Sequence, residues 1–503
     1  MQRVDDLLWA TAGRSPQRTA LVCGDERLVY GEFAARVERL AAALRARGVQ
    51  RGDRVLTWLP NSVPLAVVLF ATLAAGAAFV VVDPSSKPDR LAALCADATP
   101  RAVFVPAARA AACRAAVGPA LLLTVGGDGG DASYDELLAE AAAPPRRDHI
   151  DRDLACLVYT SGSTGSQKGV MSAHHNVVFA ARSILSYLGT AADDVVISAL
   201  PWAFDYGLYQ LLMAVACGAT LVCEPFTFPA AFLDRLAAEH ATVLPGVPTL
   251  WAMLLGMDLA AFDLSSLRCL TNTGAALSPA HLQRLRQALP RARLFAMYGL
   301  TETKRTLYLP PEWLDQKAGS VGIAIPGTEV WIEDEHGQRL GDGAVGELVV
   351  RGGHVMLGYW NAPELSAQRF PPGPRPGERL CRTGDLFRRD ADGCHWFVGR
   401  RDDLLKSRGQ KVAPIEIEHT LRELPEVVDA AVIGVDDSTL GTAIVAHVVP
   451  RAATLDARAV LRHCKARLED FKVPDRVVFH AALPRTQNGK VDRAALVRDS
   501  GRG

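Results

Sequence analysis

Residues 63–82 read VPLAVVLFATLAAGAAFVVV, a run without one charged side chain. About 20 apolar residues are enough to span a bilayer as a helix. The chain must therefore place this run in lipid or cover it with protein on every side. Its middle is rich in Ala and Gly, its end is the β-branched Val80, Val81 and Val82, and Asp83-Pro84 follow at once. A buried helix, a turn at Gly76 and a buried strand predict this order of residues. The run is read as core, and no membrane partner is expected.

Covering such an element takes layers on both sides. The chain has 503 residues, 49% of them hydrophobic, room for roughly three units of ~150 residues. Residues 36–47 read as an amphipathic helix and 54–59 as a strand. Residues 195–200 and 219–223 are further strands, with a helix over 209–217 between them. That alternation predicts an α/β layered fold. Residues 118–152 mix Gly, Pro and charge (GGDGGD, APPRRD) and are expected to be surface loops. The last hundred residues differ. A helix over 414–424, strands over 427–435 and 443–449, a helix over 456–470 and a strand over 477–479 predict a small α+β domain. The expected architecture is a large multi-layered domain over 1–401 and a small α+β domain over 402–503.

Charge and cysteine exclude several functions. Lys plus Arg and Asp plus Glu both total 55, with no clustered basic footprint for nucleic acid. The ten cysteines include no CxxC, so neither a zinc site nor a disulfide framework is expected. That usage suits a reducing cytosol. The opening MQRVDDLLWATAGRSP has no apolar signal core, so a cytoplasmic location is expected.

Residues 157–170 read LVYTSGSTGSQKGV, an apolar run entering a loop of Ser, Thr and Gly that ends on Lys168. Glycine lets the backbone bring N–H groups close to phosphate oxygens, and hydroxyls add further donors. The loop is not a Walker A sequence, because Gln167 and Gly169 stand where Gly and Ser or Thr are required. Four more motifs follow: YGLTE at 298–302, RTGD at 382–385, GRRD at 399–402 and PRTQNGKVDR at 484–493. In this order and at these separations the set closely resembles the adenylate-forming superfamily. That superfamily holds acyl-CoA ligases, luciferases and the adenylation domains of nonribosomal peptide synthetases. The resemblance runs from about Arg14 to Val497.

It implies an ATP-dependent ligase that converts a carboxylic acid to an acyl-adenylate and then passes the acyl group to a thiol. Thr160, Ser161, Gly162, Ser163, Thr164, Gly165 and Lys168 would grip the β- and γ-phosphates. Glu302 would help hold Mg²⁺, a hard cation suited to carboxylate and phosphate oxygens. Thr301 would contact the α-phosphate, Tyr298 would stack beside adenine, and Gly274, Ala275 and Ala276 would form the adenine shelf. Asp385 would accept from both ribose hydroxyls, with Arg400 reaching the ribose or phosphates. Lys490 is the candidate for the first half-reaction. Two anions must meet there, and an ammonium between them offsets their repulsion in the transition state. Asp402 matches a hinge about which the small domain is mobile, and Gly409 would approach the thiol tunnel.

The acid pocket is read from PWAFDYG at 201–207 and from the two residues that follow TET. Phe204-Asp205 matches the place where amino-acid-activating members pair an Asp with the substrate ammonium. A carboxylate in an apolar pocket needs such a partner, although capping a helix or pairing with protein donors would also serve. Lys304 and Arg305 read either as a solvated pair or as a clamp for a second carboxylate, so the acid expected is an amino acid, with a second carboxylate where the clamp holds. Trp202, Tyr206, Tyr209 and Trp251 would shape the pocket or fill core.

The acceptor would be a phosphopantetheine thiol, on a stand-alone carrier protein or on free coenzyme A. Too few residues follow Lys490 for a fused carrier, and the DSTL at 437–440 lies between strands where a helical carrier has no room. A non-catalytic nucleotide-binding homologue is disfavoured by the presence of Lys490, Glu302 and Asp385.

Overall fold

The computed structural model describes residues 2–140, 147–161, 167–277, 279–407, 410–437, 441–452, 454–485 and 491–500. The uncharged run divides as its composition demands. Ser62 caps the helix Val63–Ala74, its side chain accepting from the Leu65 N–H at 3.3 Å, and Pro64 occupies the first turn. The helix ends before Gly76, whose φ of 81° makes the turn, and the strand Ala78–Val81 follows. Every residue of the helix except Pro64 is buried. Each Leu, Val or Phe there contributes roughly 1.5–3 kcal/mol of hydrophobic stabilisation. Among the described residues, no helix is long and apolar enough to cross a membrane.

The fold is α/β, with helices covering two large sheets. One sheet runs, in spatial order, Gly358–Tyr359, Gln167–Ala173, Leu154–Ser161, Ala78–Val81, Arg54–Thr57, Ala102–Pro106, Leu121–Val125 and Ala132–Ser133. The other orders Leu307–Leu309, Arg293–Tyr298, Cys269–Asn272, Val243–Gly246, Val195–Ser198, Thr220–Cys223, Thr19–Cys23 and Glu26–Val29. The helix Tyr30–Ala46 packs on Val63–Ala74 through an edge-to-face contact of Phe33 and Phe70 at 5.4 Å. The helix predicted over 209–217 begins earlier, at Asp205.

Residues 118–152 are not all loop. They hold the strands Leu121–Val125 and Ala132–Ser133 and the helix Tyr134–Ala139. Ser133 and Glu136 close a capping box on that helix, so its start is set by side-chain chemistry that the Gly-rich context hides. In the C-terminal region the helix expected over 456–470 is confined to Ala457–Lys465, with a short 3₁₀ turn at Asp470–Lys472.

The chain divides into two compact units. The first comprises Met1–Leu314, Ala324–Val330 and Val350–Arg382; the second Asp315–Ile323, Trp331–Val349 and Thr383–Gly503. The second unit thus draws in segments that precede Asp402. It carries a three-stranded sheet of Val427–Asp437, Gly441–Pro450 and Arg476–Phe479 over its own core of Ile417, Leu421, Val432, Ile444, Val448 and Val460.

A buried histidine couples the first unit to pH. His174 is 1% exposed and accepts the Val4 N–H on Nδ1 at 3.1 Å. Beside it Asp5 meets His149 Nε2 at 3.2 Å. A neutral imidazole that accepts at Nδ1 carries its proton at Nε2, so although Asp5, His149 and His174 lie close together, His174 has no free lone pair for a metal. Burial, the largest effect, lowers the His174 pKa from 6.5 to about 4. The unfolded chain therefore binds the proton first. Stability is unaffected by this residue above pH ~6.5, falls by up to roughly 1.4 kcal/mol per pH unit on acidification, and levels off near 4. Denaturant unfolding between pH 7 and 4 should lose stability in that sense, and His174→Gln should lessen the slope, leaving the part that His354, also lowered by burial, contributes; an unchanged slope would assign acid sensitivity elsewhere.

Candidate active site

In the first unit Thr160, Ser161, Gln167 and Lys168 stand at the ends of two paired strands. The strands Leu154–Ser161 and Gln167–Ala173 pair antiparallel, with Thr160 opposite Lys168 and Ser161 opposite Gln167. Gly162, Ser163, Thr164 and Gly165 lie outside the described residues. Packing fixes the hairpin base. Tyr159 donates to Asp97 Oδ2 at 2.5 Å, and a Cβ at Gly169 would sit 3.0 Å from the Tyr159 ring and 3.2 Å from Trp360 Cβ. Lys168 Nζ lies 5.7 Å from the Tyr359 ring.

The YGLTE segment leaves the strand Arg293–Tyr298 in a tight turn closed by Thr306 N–H to Tyr298 O at 2.9 Å and Thr303 N–H to Leu300 O at 3.0 Å. Only glycine fits at 299, because a Cβ there would meet Lys304 O at 1.8 Å. Glu302 accepts from Tyr359 Oη on Oε1 at 2.5 Å. Burial and then the Glu302 charge push the Tyr359 phenol well up, so it stays the donor. Glu302 Oε2 takes no protein donor among the described residues, and a hard carboxylate oxygen left open in this way suits Mg²⁺. Tyr359 was not foreseen from the sequence. Its only signal is the GYW at 358–360, where Gly358 has φ 139° and Tyr359 pairs with Val170 of the hairpin.

Gly274, Ala275 and Ala276 follow the strand Cys269–Asn272 as an exposed shelf. Gly274 has φ 87°, and Asn272 Nδ2 donates to Ala275 O at 2.9 Å.

The acid-pocket candidates gather on one helix. Phe204 is the N-cap of Asp205–Cys217 and Asp205 stands in its first turn, so Asp205 is not the cap. Instead Arg305 Nη1 lies 3.7 Å from Asp205 Oδ2, with the guanidinium 4.3 Å over the Tyr206 ring. Tyr206 Oη is fixed by Thr271, at 3.0 Å from its carbonyl and 2.6 Å from its hydroxyl. Lys304 Nζ lies 5.8 Å from the Tyr209 ring. Lys304 and Arg305 are 1% and 3% exposed, which rules out a solvated pair. Lys304 has φ 56°, a left-handed conformation that costs a long side chain roughly 1 kcal/mol or more. Trp202 is buried, its backbone N–H donating to Asn61 Oδ1 at 3.0 Å. Trp251 belongs to a separate apolar core with Leu250 and Leu254, packed on Gly246.

The second unit, described by itself, places Asp385 opposite Arg400 on adjacent strands, with Arg400 Nε 3.3 Å from Asp385 Oδ1. Asp402 is exposed in the turn that follows. Gly409 and Lys490 lie outside the described residues, although Arg485 and Val491 bridge the flanks of the lysine motif.

Comparison with known proteins accounts for this arrangement. The AMP-binding enzyme family matches residues 8–360, and the AMP-binding enzyme C-terminal domain matches 416–490. The chain belongs to the AMP-binding enzyme family. The indoleacetate–CoA ligase of Aromatoleum aromaticum is 35% identical over 95% of this chain and 94% of its own length. The L-proline–[L-prolyl-carrier protein] ligase of Pseudomonas fluorescens is 32% identical over 99% of each. ATP-bound MatB from Rhodopseudomonas palustris superposes with a TM-score of 0.89 at 32% identity over 99% of each chain. The chain is also 32% identical to tyrocidine synthase 2 of Brevibacillus parabrevis, of whose length it spans 13%. This AMP-binding enzyme is an ATP-dependent ligase that activates a carboxylic acid as its adenylate.

Tyr359 gives the AMP-binding site a test of its own. A hydrogen bond to a charged carboxylate contributes about 1.5–3 kcal/mol, and about 1.4 kcal/mol is tenfold in rate. Tyr359→Phe should lower kcat/KM for ATP roughly 10-fold in pyrophosphate exchange and leave the KM for the acid unchanged. Equal losses on both substrates would make the bond structural only.

Proposed function

We propose that this AMP-binding enzyme activates a small carboxylic acid bearing a second charged group and passes it to the phosphopantetheine thiol of a stand-alone carrier protein. The observation that carries this reading is the Asp205–Arg305 pair beside Tyr206 and Tyr209. A pocket for a plain hydrocarbon acid gains nothing from a desolvated ion pair, since taking charges out of water is costly unless something charged or polar is to be received. An amino acid fits through Asp205, its ammonium competing with the Arg305 guanidinium. A second carboxylate fits through Arg305.

In the first half-reaction the substrate carboxylate oxygen attacks the α-phosphorus of ATP and pyrophosphate leaves. Thr160, Ser161, Gly162, Ser163, Thr164, Gly165 and Lys168 hold the departing phosphates, Thr301 the α-phosphate, and Tyr298 with Gly274, Ala275 and Ala276 the adenine. Mg²⁺ at Glu302, when bound, supplies charge neutralisation across the phosphates. Asp385 and Arg400 engage the ribose, and Lys490 bridges the two anions as the bond forms. In the second half-reaction the thiol sulfur attacks the acyl carbon and AMP leaves. Asp402 serves as the hinge between the two steps, and Gly409 flanks the thiol path.

Transfer to free coenzyme A is the second reading, favoured by the near full-length similarity to a CoA ligase. Offering holo-carrier protein and coenzyme A in parallel to the adenylate-loaded enzyme separates them: thioester on coenzyme A alone would replace the carrier reading.

Lys490→Ala should cut ATP–pyrophosphate exchange by ~10²–10³, and full retention would remove Lys490 from the first step. Asp205→Ala should reduce exchange with an amino acid far more than with an aryl or fatty acid, and equal losses would take the ammonium role from Asp205.

A further inference from the structure

Tyr206 and Tyr209 lie three residues apart on the Asp205–Cys217 helix and so present their rings on one face. Arg305 covers the first ring at 4.3 Å and Lys304 the second at 5.8 Å. Neighbouring residues in an extended chain point opposite ways. These two reach the same helix because Lys304 takes the left-handed conformation, φ 56°. The result is two buried cations side by side, 1% and 3% exposed.

The anions facing them do not balance. Asp205 pairs with Arg305, and Glu302, on the same turn, accepts from Tyr359. Cys156 faces Lys304 from the strand beneath, and burial pushes its thiol up, so it brings no charge. Lys304 Nζ has no hydrogen-bond acceptor among the described residues, and neither Arg305 Nε nor the buried Tyr209 Oη has a partner. A buried ammonium without a counter-ion is among the most costly arrangements a core can hold. Buried, unpartnered donors on Lys304, Arg305 and Tyr209 suit a carboxylate.

Resting on the acid-activating reading above, we infer that the substrate is a dicarboxylic acid without an α-amino group. One carboxylate is adenylated, and the other settles on Lys304 and the open edge of Arg305 while Arg305 and Asp205 stay paired. The charge count selects this class. A monoacid leaves Lys304 unpaired, and an ordinary amino acid adds a third cation. An amino dicarboxylic acid occupies Asp205 with its ammonium and again leaves one cation unmatched. A plain diacid brings the buried set to zero.

The test is pyrophosphate exchange by the wild-type enzyme with succinic, glutaric and adipic acids, their monomethyl esters, the aliphatic monoacids of equal length, and aspartic and glutamic acids. At least one diacid should exceed its own monoester in kcat/KM by about 100-fold or more, and should exceed its amino counterpart. Lys304→Met should narrow the diacid-to-monoester ratio by at least roughly 30-fold without lowering Tm, because an apolar side chain of similar length replaces an unpaired charge. Preference for a monoester, a monoacid or an amino acid would overturn the inference and leave the adenylation reading standing. A ratio untouched by Lys304→Met would overturn the placement of the second carboxylate. Exchange with no acid in the panel would likewise overturn the inference.

Discussion

The turn that sends Glu302 to Tyr359 and both Lys304 and Arg305 to one helix, within four residues, cannot be an extended strand. Extended backbone would put Glu302 and Lys304 on one face and Arg305 on the other. The loop from Tyr298 to Thr306 avoids that by folding back on itself, with Thr306 returning to Tyr298 and a backbone so close at Gly299 that no Cβ fits. Lys304 then accepts a left-handed conformation that its own side chain disfavours. The strain is local and the sheet beside it is regular, as expected where a strained segment is held by an over-determined scaffold. Everything proposed about acid and nucleotide in the first unit depends on this turn keeping its shape.

What keeps it in place comes from far along the chain. Tyr359 reaches Glu302 from a two-residue strand on the edge of the other sheet, and the same strand pairs with the hairpin that carries Lys168. Ser366 clamps that strand by donating to Ala362 O at 2.7 Å and accepting from Tyr359 N–H at 2.8 Å. A displacement of the hairpin is therefore transmitted to the Glu302 carboxylate through one phenol. A residue acting in this way orients the Glu302 carboxylate, as hydrogen-bonded outer partners of functional carboxylates commonly do.

The sequence made the buried run at 63–82, the α/β alternation and the nucleotide motifs legible, because each is local. Periodicity reports burial over a turn or two, and a Gly-rich loop reports its own backbone. The helix at Tyr134–Ala139 was missed since its signal, Ser133 with Glu136, lay inside a stretch whose glycines spoke for loop. Lys304 and Arg305 could be read as pocket or solvent with equal right, because burial is decided by packing from a helix a hundred positions earlier. Likewise no motif announces that Asp205 is met by Arg305 or Glu302 by Tyr359. Residue types were visible; their partners were not.

The Asp205–Arg305 pair changes how selectivity is to be understood in this pocket. An isolated buried carboxylate would attract any ammonium, and an isolated guanidinium any carboxylate. Paired at 3.7 Å, each holds the other at a separation longer than a good charge-assisted hydrogen bond, so neither is fully satisfied and neither is free. A ligand with a single charge must break the pair to use half of it, leaving the other half desolvated. A ligand that meets Lys304 leaves the pair intact and relieves the one charge that has nothing. On the diacid reading inferred above, monoacids would be rejected through the ion they leave stranded rather than through shape, which is the stronger form of discrimination when a site's polar groups are buried.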